Sequence, residues 1–223
     1  MLKRGTSDGR RCYLGALAAG GMLALTVFVP IWWVQLLALP ALGLVFGLLR
    51  AAPVKLAYRV GLVFCLAWLL PTTYWYYSFM SPLVAFAASA GYAALLANLF
   101  RLAGLRPRWG MRGVAPVFIV AWCALLWVRL HLPVTEDWWI PYAGYSLWRN
   151  PSLVFLGSLG GEAVFEAIVL GTGALTAWAW ASRGWRGGAL AAVLSLSRRS
   201  VRATLRCGAR RGPRPARRSR CRC

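Results

Sequence analysis

The chain has 223 residues, 60% apolar and 14% charged, which excludes an ordinary soluble domain, where about a quarter of residues are charged. Its net charge of +21 invites a nucleic-acid reading, but 11 of its 26 basic residues follow Ser197 and the rest lie almost entirely in short gaps between apolar runs. That distribution belongs to membrane topology and not to a phosphate-binding face. The 6 cysteines form no CxxC pair, so neither a zinc site nor a disulfide framework is indicated.

Residues 1–12 are polar and basic, with Lys3, Arg4, Arg10 and Arg11, and residues 13–29 are apolar. The pair resembles a signal peptide, but no small-residue cleavage site ends the run and Ile31 starts another, so it reads as an uncleaved first span. Residues 31–49 form the second span, with Trp32 and Trp33 as interface anchors and Pro40 placed to kink it. Arg50, Lys55 and Arg59 follow. Residues 60–80 are the third span, ending in Tyr74-Trp75-Tyr76-Tyr77-Ser78, and residues 82–100 are the fourth, closed by Arg101, Arg106, Arg108 and Arg112. Residues 114–130 are the fifth. The Trp-rich piece 138–148 comes next, broken by Pro141, and Pro151 follows the hinge Arg149-Asn150. It reads as a surface re-entry before a sixth span at about 159–181.

The charges orient these spans. With the N-terminus inside, Lys3, Arg4, Arg10, Arg11, Arg50, Lys55, Arg59, Arg101, Arg106, Arg108, Arg112, Arg183 and Arg186 lie on the cytoplasmic side, against Arg129 and Arg149 outside. Thirteen against two is a clear positive-inside bias.

A seventh run, residues 187–197, covers about 16 Å of helix against a hydrocarbon core of about 30 Å, and meets Arg198 and Arg199. The tail 197–223 has no acid and only Val201 and Leu205 as bulky aliphatics. It is expected to be disordered. Three readings stand: a basic tail drawn to anionic lipid, a nucleic-acid arm, or a GC-rich coding sequence read in a shifted frame. The expected fold class is all-α: a polytopic integral membrane helical bundle of six to seven transmembrane helices, with a basic N-terminus at 1–12, a membrane domain at 13–196 and a disordered Arg-rich tail at 197–223.

Several short motifs, in order, carry a family resemblance. Gly144-Tyr145-Ser146 is followed by Pro151 and by Gly160-Gly161-Glu162-Ala163. Tyr74-Trp75-Tyr76-Tyr77-Ser78 stands at the end of the third span, and Ala115-Pro116 opens the fifth. Together they resemble the membrane half of bacterial apolipoprotein N-acyltransferases over roughly residues 13–196. The fifth span departs from the family, with Leu126-Trp127-Val128-Arg129 where an acidic-basic pair is usual, and Thr135-Glu136-Asp137-Trp138-Trp139 stands before the GYS motif.

The resemblance implies phospholipid as acyl donor and a diacylglyceryl-modified lipoprotein as acceptor, in the bacterial inner membrane, with no cofactor, metal or nucleic acid. In the family, a nitrilase-like domain outside the membrane carries a Glu-Lys-Cys triad. The chain's lysines are Lys3 and Lys55, both on the cytoplasmic side of the expected topology. No residue here is therefore expected to be catalytic, and the chain is expected to be a truncated, inactive form. A non-catalytic scaffold or partner subunit of a lipid-modifying enzyme is the alternative. A solute transporter finds no inverted repeat to support it.

The residues expected to face substrate or lipid are Tyr74, Trp75, Tyr77, Trp138, Trp139, Gly144, Tyr145, Ser146 and Glu162. Glu162 and Glu166 share a helix face at i,i+4 spacing. Glu162 has two readings, a cap for a helix N-terminus or a functional residue. Glu166, deeper in the span, is placed to pair with Arg149 or to line a lipid-accessible groove. His131 reads as an interface histidine. Cys65 and Cys123 read as small core residues.

Overall fold

The computed structural model describes residues 4–29, 31–131, 142–147, 155 and 161–182. Trp138, Trp139, Arg149, the short seventh run and the Arg-rich tail therefore lie outside the described residues.

Among the described residues the chain is helical, with no strand. Helix α1 is Arg4–Phe28, α2 Trp32–Gln35, α3 Ala38–Ala51, α4 Val54–Thr72, α5 Pro82–Ala97, α6 Arg106–His131 and α7 Gly161–Ala181. Three 3-10 segments join them: Tyr74–Ser78, Asn98–Leu105 and Ala143–Leu147. Five helical stretches are long and apolar enough to cross a bilayer. The longest, Pro82–His131, has 50 residues. It would reach about 75 Å as one helix, far beyond a core of about 30 Å. The 3-10 turn Asn98–Leu105 divides it into two crossings. Gly110, at φ 61 and ψ −178, then bends the start of α6 in a conformation that only glycine adopts readily. The result, among the described residues, is an all-α, multi-pass membrane bundle with five to six candidate crossings.

Contacts between the helices fix the directions of these crossings. On α1, Gly9 lies against Leu56 and Gly20 against Phe64 and Ala67, so α1 and α4 run the same way. Gly15 meets Leu48, and α3 ends at Ala51, a short turn before α4 starts at Val54, so α3 runs opposite to α4 and hence to α1. Thr73 pairs with Ser89 near one end of α4, while Phe100 covers Gly61 nearer the other, so α5 runs back along α4. Trp122 and Phe118 of α6 stand beside Trp68 and Phe100, so α6 runs with α4. Without a hydrophobic difference between lipid tails and side chains, such helices associate through close packing at small residues. A Cβ on Gly20 would stand 2.5 Å from the Phe64 carbonyl oxygen, and one on Gly173 would stand 2.5 Å from Leu42 of α3.

An aromatic column fills the centre. Phe46, Phe118, Phe100, Phe64, Trp68 and Trp122 follow one another with centroid separations of 5.5–6.1 Å. It joins α3, α4, α6 and the turn after α5 by offset and edge-on ring contacts.

Several element limits differ from the sequence reading. Helix α1 begins at Arg4, within the polar N-terminus. The second span breaks at Leu36–Leu37, before Pro40, which sits in the first turn of α3, where proline is tolerated. The third span stops helically at Thr72, and the aromatic run continues as a 3-10 turn. The first turns of α6 begin at Arg106, ahead of the expected apolar start.

Candidate functional site

The loops segregate to two ends. At one end Arg106 donates to the carbonyls of Leu49, Arg50 and Ala52 at the C-terminus of α3, and the Arg101 guanidinium lies 4.8 Å over the Tyr58 ring. Arg10, Lys55 and Arg59 are exposed on the neighbouring turns of α1 and α4. This is the basic end. The opposite, aromatic end holds the 3-10 turns Tyr74–Ser78 and Ala143–Leu147. Among the described residues its Lys/Arg complement is Arg129, buried in the last turn of α6.

Glu166 organises the aromatic end. It lies on the second turn of α7 with 0% exposure. Its carboxyl group accepts from the Trp122 indole N–H at 2.7 Å, the Ala143 amide at 2.9 Å and the Gly144 amide at 2.5 Å. A carboxyl group in an apolar bundle is costly unless donors surround it. Here they come from α6 and from the turn carrying the GYS motif. The turn is thereby held across α6 and α7, and further closed by the Tyr145 amide donating to the Tyr142 carbonyl at 3.0 Å.

Gly144 fits because it has no side chain. A Cβ there would lie 2.8 Å from the Phe165 ring and 2.9 Å from the Tyr142 ring. Tyr142 and Tyr145 meet edge to face at 4.9 Å. Burial, and next the charge of Glu162, push the Tyr142 phenol well above its ordinary range, against a pull from Arg129.

The second turn, Tyr74–Ser78, is tied into the same end. Thr73 and Ser89 share a hydrogen bond of 2.7 Å, joining α4 to α5, and Tyr74 lies 5.5 Å from Phe28 at the end of α1. Trp75, Tyr76 and Phe79 pack on one another. Tyr76 is buried, and desolvation pushes its phenol up to about 12 against a pull from Arg129.

The expected site residues separate into two groups. Tyr74, Tyr77 and Glu162 are exposed, and Trp75 and Tyr145 are half-buried. Gly144 and Ser146 are buried, and Ser146 has 0% exposure with no partner for its hydroxyl among the described residues. Glu166 does not line a groove: it is enclosed and bonded to backbone and indole donors. Sequence reasoning saw its i,i+4 relation to Glu162 but not these partners. The available signal was a carboxyl inside an apolar run, which must find donors. His131 is exposed, stacked on Trp127 at 4.2 Å, with Nδ1 2.8 Å from the Trp127 carbonyl. Cys65 is buried, and the Cys123 thiol points at the Ala163 carbonyl at 3.5 Å. Among the described residues, no three His, Cys, Asp or Glu side chains gather where they could hold a metal ion.

Among the described residues of this end, no nucleophile stands beside a base. The arrangement offers a surface of aromatic rings over a turn braced by the Glu166 carboxyl group.

No curated protein and no solved structure matches this chain. A family model does: the apolipoprotein N-acyltransferase N-terminal domain matches residues 19–175. That stretch takes in α2 to α6 whole, the C-terminal part of α1, most of α7 and both turns of the aromatic end. With most of its length accounted for in this way, the chain belongs to the apolipoprotein N-acyltransferase family through that family's N-terminal domain.

Proposed function

We propose that these 223 residues act as the membrane half of an apolipoprotein N-acyltransferase. The observation that carries this reading is the Glu166 clamp, which braces the GYS turn across α6 and α7 at the end of the bundle rich in exposed rings. Such a braced turn is a platform. In this reading it seats the family's Glu-Lys-Cys domain over the membrane surface, and Tyr74, Trp75, Tyr77, Trp138, Trp139, Tyr145 and Glu162 face the acyl donor and the diacylglyceryl group of the lipoprotein acceptor. Gly144 and Ser146 set the shape of the platform from beneath. The membrane domain comprises residues 13–196, with 1–12 as a basic N-terminus and 197–223 as a basic tail.

The residues of this chain bind and position; they do not transfer. The carboxylate base, lysine and cysteine thiol of the family's chemistry come from outside these 223 residues. The purified chain, given phospholipid and a diacylglyceryl-cysteine peptide, is therefore expected to yield no N-acylated peptide. Acyl transfer by the chain alone would overturn this assignment of roles.

The basic end faces the cytoplasm and the aromatic end the far side of a bacterial inner membrane. The clustering of Arg10, Lys55, Arg59, Arg101 and Arg106 at one end of the bundle supports this, since cytoplasmic loops retain Lys and Arg. An engineered cysteine at position 138 should react with a membrane-impermeant maleimide in intact spheroplasts, and one at position 104 should not. The opposite pattern would reverse the topology.

A further inference from the structure

An apolar groove lies between α1 and α4, at the opposite end of the bundle from the platform. Helices α1 and α4 run parallel and pack tightly at Gly20, where a Cβ would overlap the Phe64 carbonyl. Toward their N-termini they diverge: at Gly9 a Cβ would make only ordinary contact, 3.4 Å from Leu56. The wedge between them is an open groove of about 520 Å³, lined by Gly9, Arg10, Tyr13, Leu14, Leu17, Leu56 and Val63. Apart from Arg10 and the Tyr13 hydroxyl, its walls are apolar. Leu14 is 56% exposed and Leu17 55% exposed along it.

We infer that this groove holds one acyl chain of an anionic phospholipid whose headgroup sits at the basic end. Arg10 and Leu17 are seven residues apart, about 10 Å along the helix, within one leaflet of a hydrocarbon core of about 30 Å. The volume falls in the range of small-molecule sites.

Charge selects the headgroup. Arg10 stands at the mouth, and on α4 Lys55 adjoins Leu56 while Arg59 falls on the stripe between Leu56 and Val63. The first turn of α4, a helix of 19 residues, receives no side-chain cap from Pro53. Its Leu56 amide donates to the Pro53 carbonyl, and the N-terminal end of the helix dipole adds a partial positive charge beside the same mouth. A phosphodiester with an acidic headgroup meets three cations and a helix N-terminus there, and its chain meets leucine and valine walls. Ordinary annular lipid would sample the groove without regard to headgroup, so headgroup preference is the diagnostic.

Placing this lipid in the cytoplasmic leaflet rests on the orientation proposed above; the binding itself does not. The test uses the full chain, delipidated in mild detergent, titrated with phosphatidylglycerol or phosphatidylcholine and read by native mass spectrometry. One phosphatidylglycerol per chain is expected to be retained, with a preference over phosphatidylcholine on the order of ten-fold. Arg10→Gln with Lys55→Gln and Arg59→Gln should abolish the preference while phosphatidylcholine binding stays as before. Leu17→Trp, which fills the groove, should reduce binding of both lipids. Equal retention of the two lipids by the wild type, no retained lipid, or a preference that survives the triple substitution would each overturn the site. If the maleimide pattern reverses but these results hold, the site stands and only its leaflet changes.

Discussion

At the basic end, Arg106 reaches the carbonyls at the end of α3 with a long, partly exposed side chain, and Arg101 rests on the face of Tyr58. At the aromatic end, the corresponding ties are short and enclosed: the Glu166 carboxyl under three donors, and Thr73 bonded to Ser89. The difference is one of replaceability. Water and lipid phosphates can substitute for an exposed guanidinium or for the carbonyls it serves. Nothing in an apolar interior substitutes for a buried acceptor. One end is therefore suited to adapting to whatever lipid it meets, and the other to holding a fixed shape.

The largest test of this contrast is Glu166→Ala. It leaves the Trp122 indole and the Ala143 and Gly144 amides without their acceptor. Each donor stranded in the interior costs about 1–3 kcal/mol. The variant is expected to lose a large part of its thermal stability in detergent, read by tryptophan fluorescence, and the turn at 143–147 should become open to protease. Glu166→Gln retains one carbonyl acceptor and should fall between the two. A Glu166→Ala protein as stable as the wild type would remove the distinction between the ends.

Glycine substitutions draw the same line at smaller amplitude. Gly144→Ala forces a methyl group against the Phe165 and Tyr142 rings, and overpacking of this kind costs about 1–3 kcal/mol. Adding Phe165→Leu should recover part of the loss. Gly104 belongs to the basic end, where a Cβ would make ordinary contact with Val54 at 3.4 Å, so Gly104→Ala should be close to neutral in the same melt. Equal losses at the two glycines would break the comparison.

Next in size is Arg106→Ala. Three carbonyls lose a donor, but Arg50 is exposed and the bonds to Leu49 and Ala52 are only part-buried, so water can replace much of it and the loss should be about 1 kcal/mol or less. A fall as large as that of Glu166→Ala would show that the basic end is rigid as well.

The sequence made the crossings legible because each is a run of apolar residues bounded by Arg or Lys, and a bilayer demands that pattern. It was less informative about where helices stop. Nothing in Leu36-Leu37 announces a break, because both residues are good helix formers and the signal pointed to Pro40 instead. The aromatic run at 74–78 looked like the last turn of a span, since Tyr and Trp are expected at a membrane interface in either conformation. The Glu166 clamp was hidden for a different reason. Two of its three donors are backbone amides 22 and 23 residues away, and a backbone amide carries no residue signature. The GYS motif gave the place of the turn, but not the side chain that fastens it.

The smallest expected effect concerns Tyr76 and sharpens the comparison from the aromatic side alone. Burial, only partly opposed by Arg129, pushes its phenol up to about 12 from the ordinary value of about 10. The folded state therefore holds this proton over a pH range in which the unfolded chain has released it. By linkage, the stabilising contribution is complete below about pH 10 and declines as pH rises toward 12. Difference absorbance at 295 nm should show a late tyrosinate step in the wild type that is reduced in Tyr76→Phe. The alkaline fall in melting temperature between pH 10 and 12 should also be shallower in that variant. Tyr74 lies two residues away but is exposed, so Tyr74→Phe should leave the late step intact. If the late step instead disappears in Tyr74→Phe and survives in Tyr76→Phe, the enclosed ring of this turn has been misidentified, and the turn is held less firmly than the clamp beside it.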